Sequence, residues 1–323
     1  MYVIGRSSNA TKGLLLFFSL FLTACDPSQY QKPAEDFLAA TVTLRQVYFL
    51  EMDLSNKANI ERRDLEDQIA IWGAPADVDQ ESIERVANKM TERRRNDIHE
   101  ALKPLRKKAF AAIEGYAQTL VNLASGESTE AIVSELNGLV QGIEGVVARA
   151  SKISALSDRS AKVAKLAGPL KQYAGILREI IGLVSDVVRE QAIIQTIGRS
   201  NKSVAKLLSV LKNEAVTANN NTQIHIKKAR ENLEGFLKKN GFANADNISK
   251  ALIAKRLADI RIIEEQVKDD GIDKAFDAAL DAQSALVEKA ISTDAMDWAI
   301  QIRAFKDRAE ATKTAIEKIQ SEI

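Results

Sequence analysis

The 323-residue chain predicts an all-α fold, an elongated helical bundle with antiparallel coiled-coil-like seams, long helices and no sheet. Three observations carry that expectation. Beyond Pro33 only Pro75, Pro104 and Pro169 occur, and the long stretches between breaks are filled with Ala, Leu, Ile, Lys, Glu and Arg, the better helix formers. Apolar residues recur at alternating steps of four and three, as in Ile132, Leu136, Leu139, Ile143, Val146, Ala150 and Ile153. Short alternating runs bounded by turn dipeptides, which would announce strands, are absent.

The first element is the N-terminal leader, 1–24. Arg6 and Lys12 precede Gly13 to Leu22, an apolar run of about ten residues, and no acidic residue stands before Asp26. A charged start, a short apolar stretch and small residues at a cleavage point are the layout of a secretory signal. The run is too short to span a bilayer, which takes roughly 20 apolar residues. Leu22-Thr23-Ala24-Cys25 resembles the lipobox of bacterial lipoproteins. That resemblance implies removal of the leader and a lipid on Cys25, the first residue of the mature chain. Each buried acyl methylene contributes about 0.8 kcal/mol, and two or more chains give stable anchoring. Cys25 is the one cysteine in the sequence, so a mature domain beginning there has no intramolecular disulfide and no cysteine-based metal site or nucleophile. Asp26 resembles the residue that keeps enterobacterial lipoproteins in the inner membrane, which favours that membrane, facing the periplasm, over the outer membrane. Residues 25–33 are expected to be a lipidated tether, of which Asp26 to Pro33 reaches at most about 28 Å.

The helical domain is expected over 34–323, with a potential subdivision near 241–247. A first helical region begins near Ala34 and ends at Trp72-Gly73-Ala74-Pro75. The next runs from Ser82 past Gly115 to Leu123-Ala124-Ser125-Gly126, after which Ser128 or Thr129 can cap a helix. Val133, Val140 and Val147 widen the stripe of that helix, which favours a bundle over a two-stranded coil. Ser154 to Ser160 reads as a turn with Asp158 as a capping candidate. A second seam reads Leu166, Leu170, Tyr173, Leu177, Ile180, Val184, Val187, and a third reads Ile194, Ile197, Asn201, Val204, Leu208, Leu211. Asn219-Asn220-Asn221 disfavours helix and is expected to be a loop or frayed turn. Lys238-Lys239-Asn240-Gly241 resembles a helix end, with Asp246 or Asn247 capping the next helix. Gly271 is expected to close that helix, and Ser292-Thr293-Asp294 to cap a last one running nearly to Ile323. Six to nine helices result.

Charge narrows the function classes. Losing Arg6 and Lys12 with the leader leaves 43 of the 45 basic residues against 44 acidic ones, which offers no electrostatic case for nucleic acid. No catalytic, cofactor-binding or metal-ligating set stands out. His99 and His225, the only histidines, each lack a second ligand at helical spacing and are expected to be surface or partly buried residues. Glu92-Arg93-Arg94-Arg95 could meet lipid phosphates, but Asp97 and Glu100 lie within a turn, so a solvated face is the better reading. Gly138, Gly142 and Gly145 are expected to mark tight helix packing. Ala174 to Ile197 is the most apolar mature stretch. Arg178, Glu179, Asp186, Arg189 and Glu190 interrupt it, which favours a central bundle helix over a membrane-entering one.

These features together predict a lipid-anchored protein of the cell envelope whose helical domain acts without catalysis as a scaffold or binder of a protein partner. A homo-oligomer is compatible with such seams. The alternative is a membrane-active, pore-forming-like protein that inserts an apolar helix over 174–197.

Overall fold

The computed structural model describes residues 27–72, 80–95, 98–154, 160–240, 247–267, 271–291 and 298–322. The leader, Cys25 and Asp26 lie outside them, as do Asp158, Gly241, Asp246 and residues 292–297. The described residues form one 3₁₀ turn, Pro27–Tyr30, and nine α-helices, with no strand among them. The helices are α1 (Gln31–Trp72), α2 (Gln80–Arg95), α3 (Ile98–Ser125), α4 (Thr129–Ser154), α5 (Ser160–Asp186), α6 (Arg189–Asn240), α7 (Asn247–Val267), α8 (Ile272–Ile291) and α9 (Trp298–Glu322). The chain is an all-α, elongated bundle.

Two long helices form its spine. α1 has 42 residues and α6 has 52, about 63 and 78 Å at the helical rise. They run parallel: Tyr48, Arg62 and Glu66 of α1 bond in turn to Glu214, His225 and Asn232 of α6. α3 runs antiparallel to α1, since Phe37 meets Tyr116 and Tyr48 meets Phe110. α9 runs parallel to it, through Lys306 to Asp36, Glu310 to Thr43 and Gln320 to the Leu50 carbonyl. α4 and α5 pack on each other and against α3, α5 also packs on α6, α8 packs between α6 and α9, and α7 lies along the last turns of α6.

The core follows the predicted seams. Ile132, Leu136, Val140, Ile143, Val146 and Ala150 are buried, as are Leu166, Leu170, Tyr173, Leu177, Ile180 and Val184. On α6, Ile197, Val204, Leu208 and Leu211 are buried, and the stripe is wide enough to include Ile193 and Leu207 because α1, α3, α5, α7 and α8 all pack against the helix along its length. An aromatic column joins the layers: Phe37 stands 6.2 Å from Tyr116 and 5.8 Å from Phe305, while Tyr48 stands 5.2 Å from Phe110 and 6.3 Å from Phe276.

Several boundaries are set by recognisable chemistry. Gly126 adopts φ +84°, the Glu127 N–H donates to the Asn122 carbonyl at 3.0 Å, and α3 so ends in a Schellman closure. Ser128 Oγ then accepts from the Ala131 N–H at 3.2 Å as the cap of α4. Gly271, at φ +75°, stands directly before α8, and its carbonyl accepts from the Ala275 N–H; residues 268–270, between it and Val267 of α7, lie outside the described set. The expected helix from Ser82 past Gly115 corresponds to α2 and α3, between which residues 96–97 lie outside the described set. Pro104 and Pro169 lie inside α3 and α5.

Three expectations are overturned. Asn219-Asn220-Asn221 is continuous α6, not a loop. Asn219 is buried and its Oδ1 accepts from Gln223 Nε2 at 2.8 Å, and the fully buried Thr222 donates to the Ala218 carbonyl, so tertiary packing overrides propensity. Ala174 to Ile197 is not one helix: α5 ends at Asp186, Val187 and Val188 turn, and α6 begins at Arg189. No helix among the described residues is long and apolar enough to cross a membrane. Finally, the span expected as tether is partly folded, for Pro27–Tyr30 packs against α1 and α3 with Tyr30 only 5% exposed.

Candidate functional site

Near the first turns of α3 and α5, where α1 and α6 run on toward α7, lies a groove of about 580 Å³. Its walls come from four helices. α1 contributes Met52, Ser55, Asn56 and Asn59, α3 contributes Arg106, α5 contributes Lys165, and α6 contributes the residues from Lys206 to His225 on one face. The helical period explains the last set: Lys206, Val210, Asn213, Thr217 and Asn221 repeat at three or four residues and line one side.

At the floor sits a buried polar cluster. Glu214 Oε2 accepts from Tyr48 Oη at 2.6 Å and from Arg106 Nε at 3.1 Å. Arg106 is 7% exposed. Burial, and then the Glu214 carboxylate, push the Tyr48 hydroxyl well above the ordinary tyrosine range, so it keeps its proton and remains a donor. At the end of the groove nearest α7, Arg62 Nε donates to His225 Nδ1 at 3.2 Å, which leaves the ring proton on Nε2. Burial lowers the His225 pKa, and Arg62, Lys228 and Arg63 lower it further against a weaker opposing effect of Glu66. At neutral pH the ring is neutral.

The cationic groups at the mouth differ from those elsewhere on the same hairpin. Arg178 pairs with Glu144, Arg199 with Glu179, and Lys212 with Asp277. Lys165 and Lys206 are exposed, line the groove from α5 and α6, and have no acidic partner among the described residues. With Glu214 committed to Arg106 and Tyr48, the mouth carries an excess of positive charge.

Sequence-predicted residues fall variously. Cys25 lies outside the described residues, as do the side chains of His99 and of Glu92-Arg93-Arg94-Arg95. His225 does reach the groove. Gly138 and Gly145 face open space and Gly142 faces only the Lys108 side chain, so the expected glycine packing patch is not one. The close approach is at Gly115 of α3, where an added Cβ would stand 2.3 Å from Leu139 Cδ2 of α4. The floor cluster and the groove lysines were missed. A signal existed for Arg106 and Glu214, because each interrupts an apolar stripe: Leu102, Leu105 and Ala109 surround the first, Leu211 and Ala215 the second. Nothing in the spacing ties α1, α3, α5 and α6 together at this point.

Among the described residues no group of three or more His, Cys, Asp or Glu side chains is arranged to hold a metal. No protein-family model, curated protein or solved structure matches the chain.

Proposed function

We propose that this protein is a lipoprotein of the bacterial cell envelope, anchored through Cys25, whose helical bundle projects from the membrane and serves as a binding module rather than as an enzyme. The observation that carries the reading is the ordered layout of Arg6, Lys12, the Gly13-to-Leu22 run and Leu22-Thr23-Ala24-Cys25 directly before the folded body. The start of that body supports it. Pro27 stands two residues after Cys25, and the Pro27–Tyr30 turn packs against the bundle. An acyl anchor at Cys25 therefore holds one end of the bundle at the bilayer surface.

On this reading the anchored end is the one at the start of α1. The start of α1 lies beside the end of α3, because the two are antiparallel, and Arg189 Nη2 donates to the Glu127 carbonyl, which brings the α5–α6 turn to the same end. The groove sits 21 to 28 residues along α1 from Gln31, about 30–40 Å away. A binding surface so placed faces the aqueous compartment. Asp26 favours retention at the inner membrane.

The test is Cys25→Ala in cells of the source organism. The wild-type chain is expected to incorporate labelled palmitate and to sediment with membranes, whereas the variant loses the label and is not processed as a lipoprotein. Equal labelling of both would refute the anchor. Crosslinking in the same two strains, read by mass spectrometry, then separates a tethered binder, which enriches one dominant protein in wild type, from a self-assembling protein, which yields only crosslinks to itself.

A further inference from the structure

We infer that the groove between α1, α3, α5 and α6 is a binding site for a small, polyhydroxylated molecule bearing an oxyanion, of the sugar-acid or sugar-phosphate class. The inference does not depend on the anchor.

Size comes first. At about 580 Å³ the groove lies in the range that holds small-molecule ligands, but its lining is not the apolar kind that drug-like rings prefer. No Phe, Tyr or Trp lines it, and the one ring among its lining residues, the His225 imidazole, is held at the end nearest α7 by Arg62, so the broad face that a planar base prefers is absent. The carboxamides of Asn56, Asn59, Asn213 and Asn221, with the hydroxyls of Ser55 and Thr217, line it instead. Amides both donate and accept, which suits a ligand whose hydroxyls do the same.

Charge identifies the other group. Lys165 and Lys206 reach the mouth from two different helices, and no carboxylate among the described residues answers them. The groove's own acid, Glu214, is already bonded to Arg106 and Tyr48, so its charge is spent on the floor. Two ammonium groups on one opening favour an anion between them, and a charge-assisted bond to carboxylate or phosphate is about twice as strong as a neutral one. The floor cluster keeps α1, α3 and α6 in fixed register beneath the ligand, so the walls are preorganised. Carboxylate and phosphate share this chemistry, and the experiment separates them.

The full-length protein in detergent is titrated calorimetrically with glucuronate, glucose 6-phosphate, inorganic phosphate and glucose. Glucuronate or glucose 6-phosphate is expected to bind, more tightly than inorganic phosphate, and glucose is expected not to. Which of the two binds names the oxyanion. In Lys165→Gln/Lys206→Gln the dissociation constant rises at least about tenfold, which corresponds to about 1.4 kcal/mol. Both lysines are exposed, so the variant keeps its fold, checked by an unchanged melting temperature. Four results would overturn the assignment: no heat from either sugar anion at millimolar concentration, glucose binding as well as they do, inorganic phosphate binding as tightly as glucose 6-phosphate, or undiminished binding in the double variant.

Discussion

Buried and half-buried polar groups in this bundle are arranged in pairs whose protonation states matter. Glu114 shows the effect of burial alone: its carboxyl is pushed up from the ordinary value, and Arg45 at 2.9 Å only partly offsets that. At Asp36, burial also raises the pKa, but Lys32 and Lys306 together outweigh it and the result is a lowered value. His225 belongs with the groups whose native state prefers the neutral form. Its pKa is depressed below 6.5, so the unfolded chain takes up the proton first as pH falls. The stability that His225 contributes is therefore complete above about pH 6.5 and is lost as pH drops toward its folded value. Urea denaturation between about pH 5.5 and 7.5 should show wild-type stability declining with acid. His225→Asn, which keeps an acceptor for Arg62 Nε, should flatten that decline. A pH slope identical in the two proteins would mean that the ring is not buried neutral against α1.

At the scale of the helix, composition alone misreads glycine. Gly138 and Gly142 in α4 have the spacing of a contact patch, yet Gly138, like Gly145, faces open space and Gly142 meets only the Lys108 side chain, because the seam runs through Ile132, Leu136, Val140 and Ile143 on another face. Exposed glycine inside a helix costs about 0.5–1 kcal/mol relative to alanine. Gly138→Ala and Gly145→Ala should each raise the unfolding free energy by roughly that amount. Gly115→Ala should gain less or lose, since Leu139 would have to move. Loss of stability in the first two would place a helix against that face. The seams of α4, α5 and α6 were legible because a period of 3.6 leaves its mark whatever the partner. So was the Gly126 end of α3, where a left-handed residue is required. The break at Val187–Val188 was not legible, having neither glycine nor proline, and neither was the continuity of α6 through Asn219-Asn220-Asn221, which depends on what packs against it. The groove was invisible for the same reason: its walls meet only through tertiary structure, and only the charges interrupting apolar stripes at Arg106 and Glu214 hinted at it.

The whole molecule divides unequally along its length. One continuous core runs through α1, α3 to α6, α8 and α9, and a small second cluster of Leu65, Ala229, Leu233 and Ile253 lies where α1, α6 and α7 meet. α7 bridges the two, with Ile263 and Val267 in the main core and Ile253 in the small one. Its hold on α6 is partly electrostatic: Arg230 donates to Glu264 at 2.7 Å, and Arg261 donates to Glu234 at 2.8 Å. Ion pairs this near the surface contribute little and weaken with salt. Among the residues of α7 whose side chains are described, only Ile253, Ile263 and Val267 are buried, and a helix so thinly held opens before the rest of the protein unfolds. Native-state hydrogen exchange should therefore show amides of 247–262 exchanging through a local opening that costs several kcal/mol less than the global unfolding reported by 105–120. Added salt should widen that gap. The effect bears on the boundary expected near 241–247. If α7 exchanges with the core, the chain is one cooperative unit from the Tyr30 end to the far tip. If it opens first, the far end of the bundle, adjoining the groove, is the part that yields when something binds there.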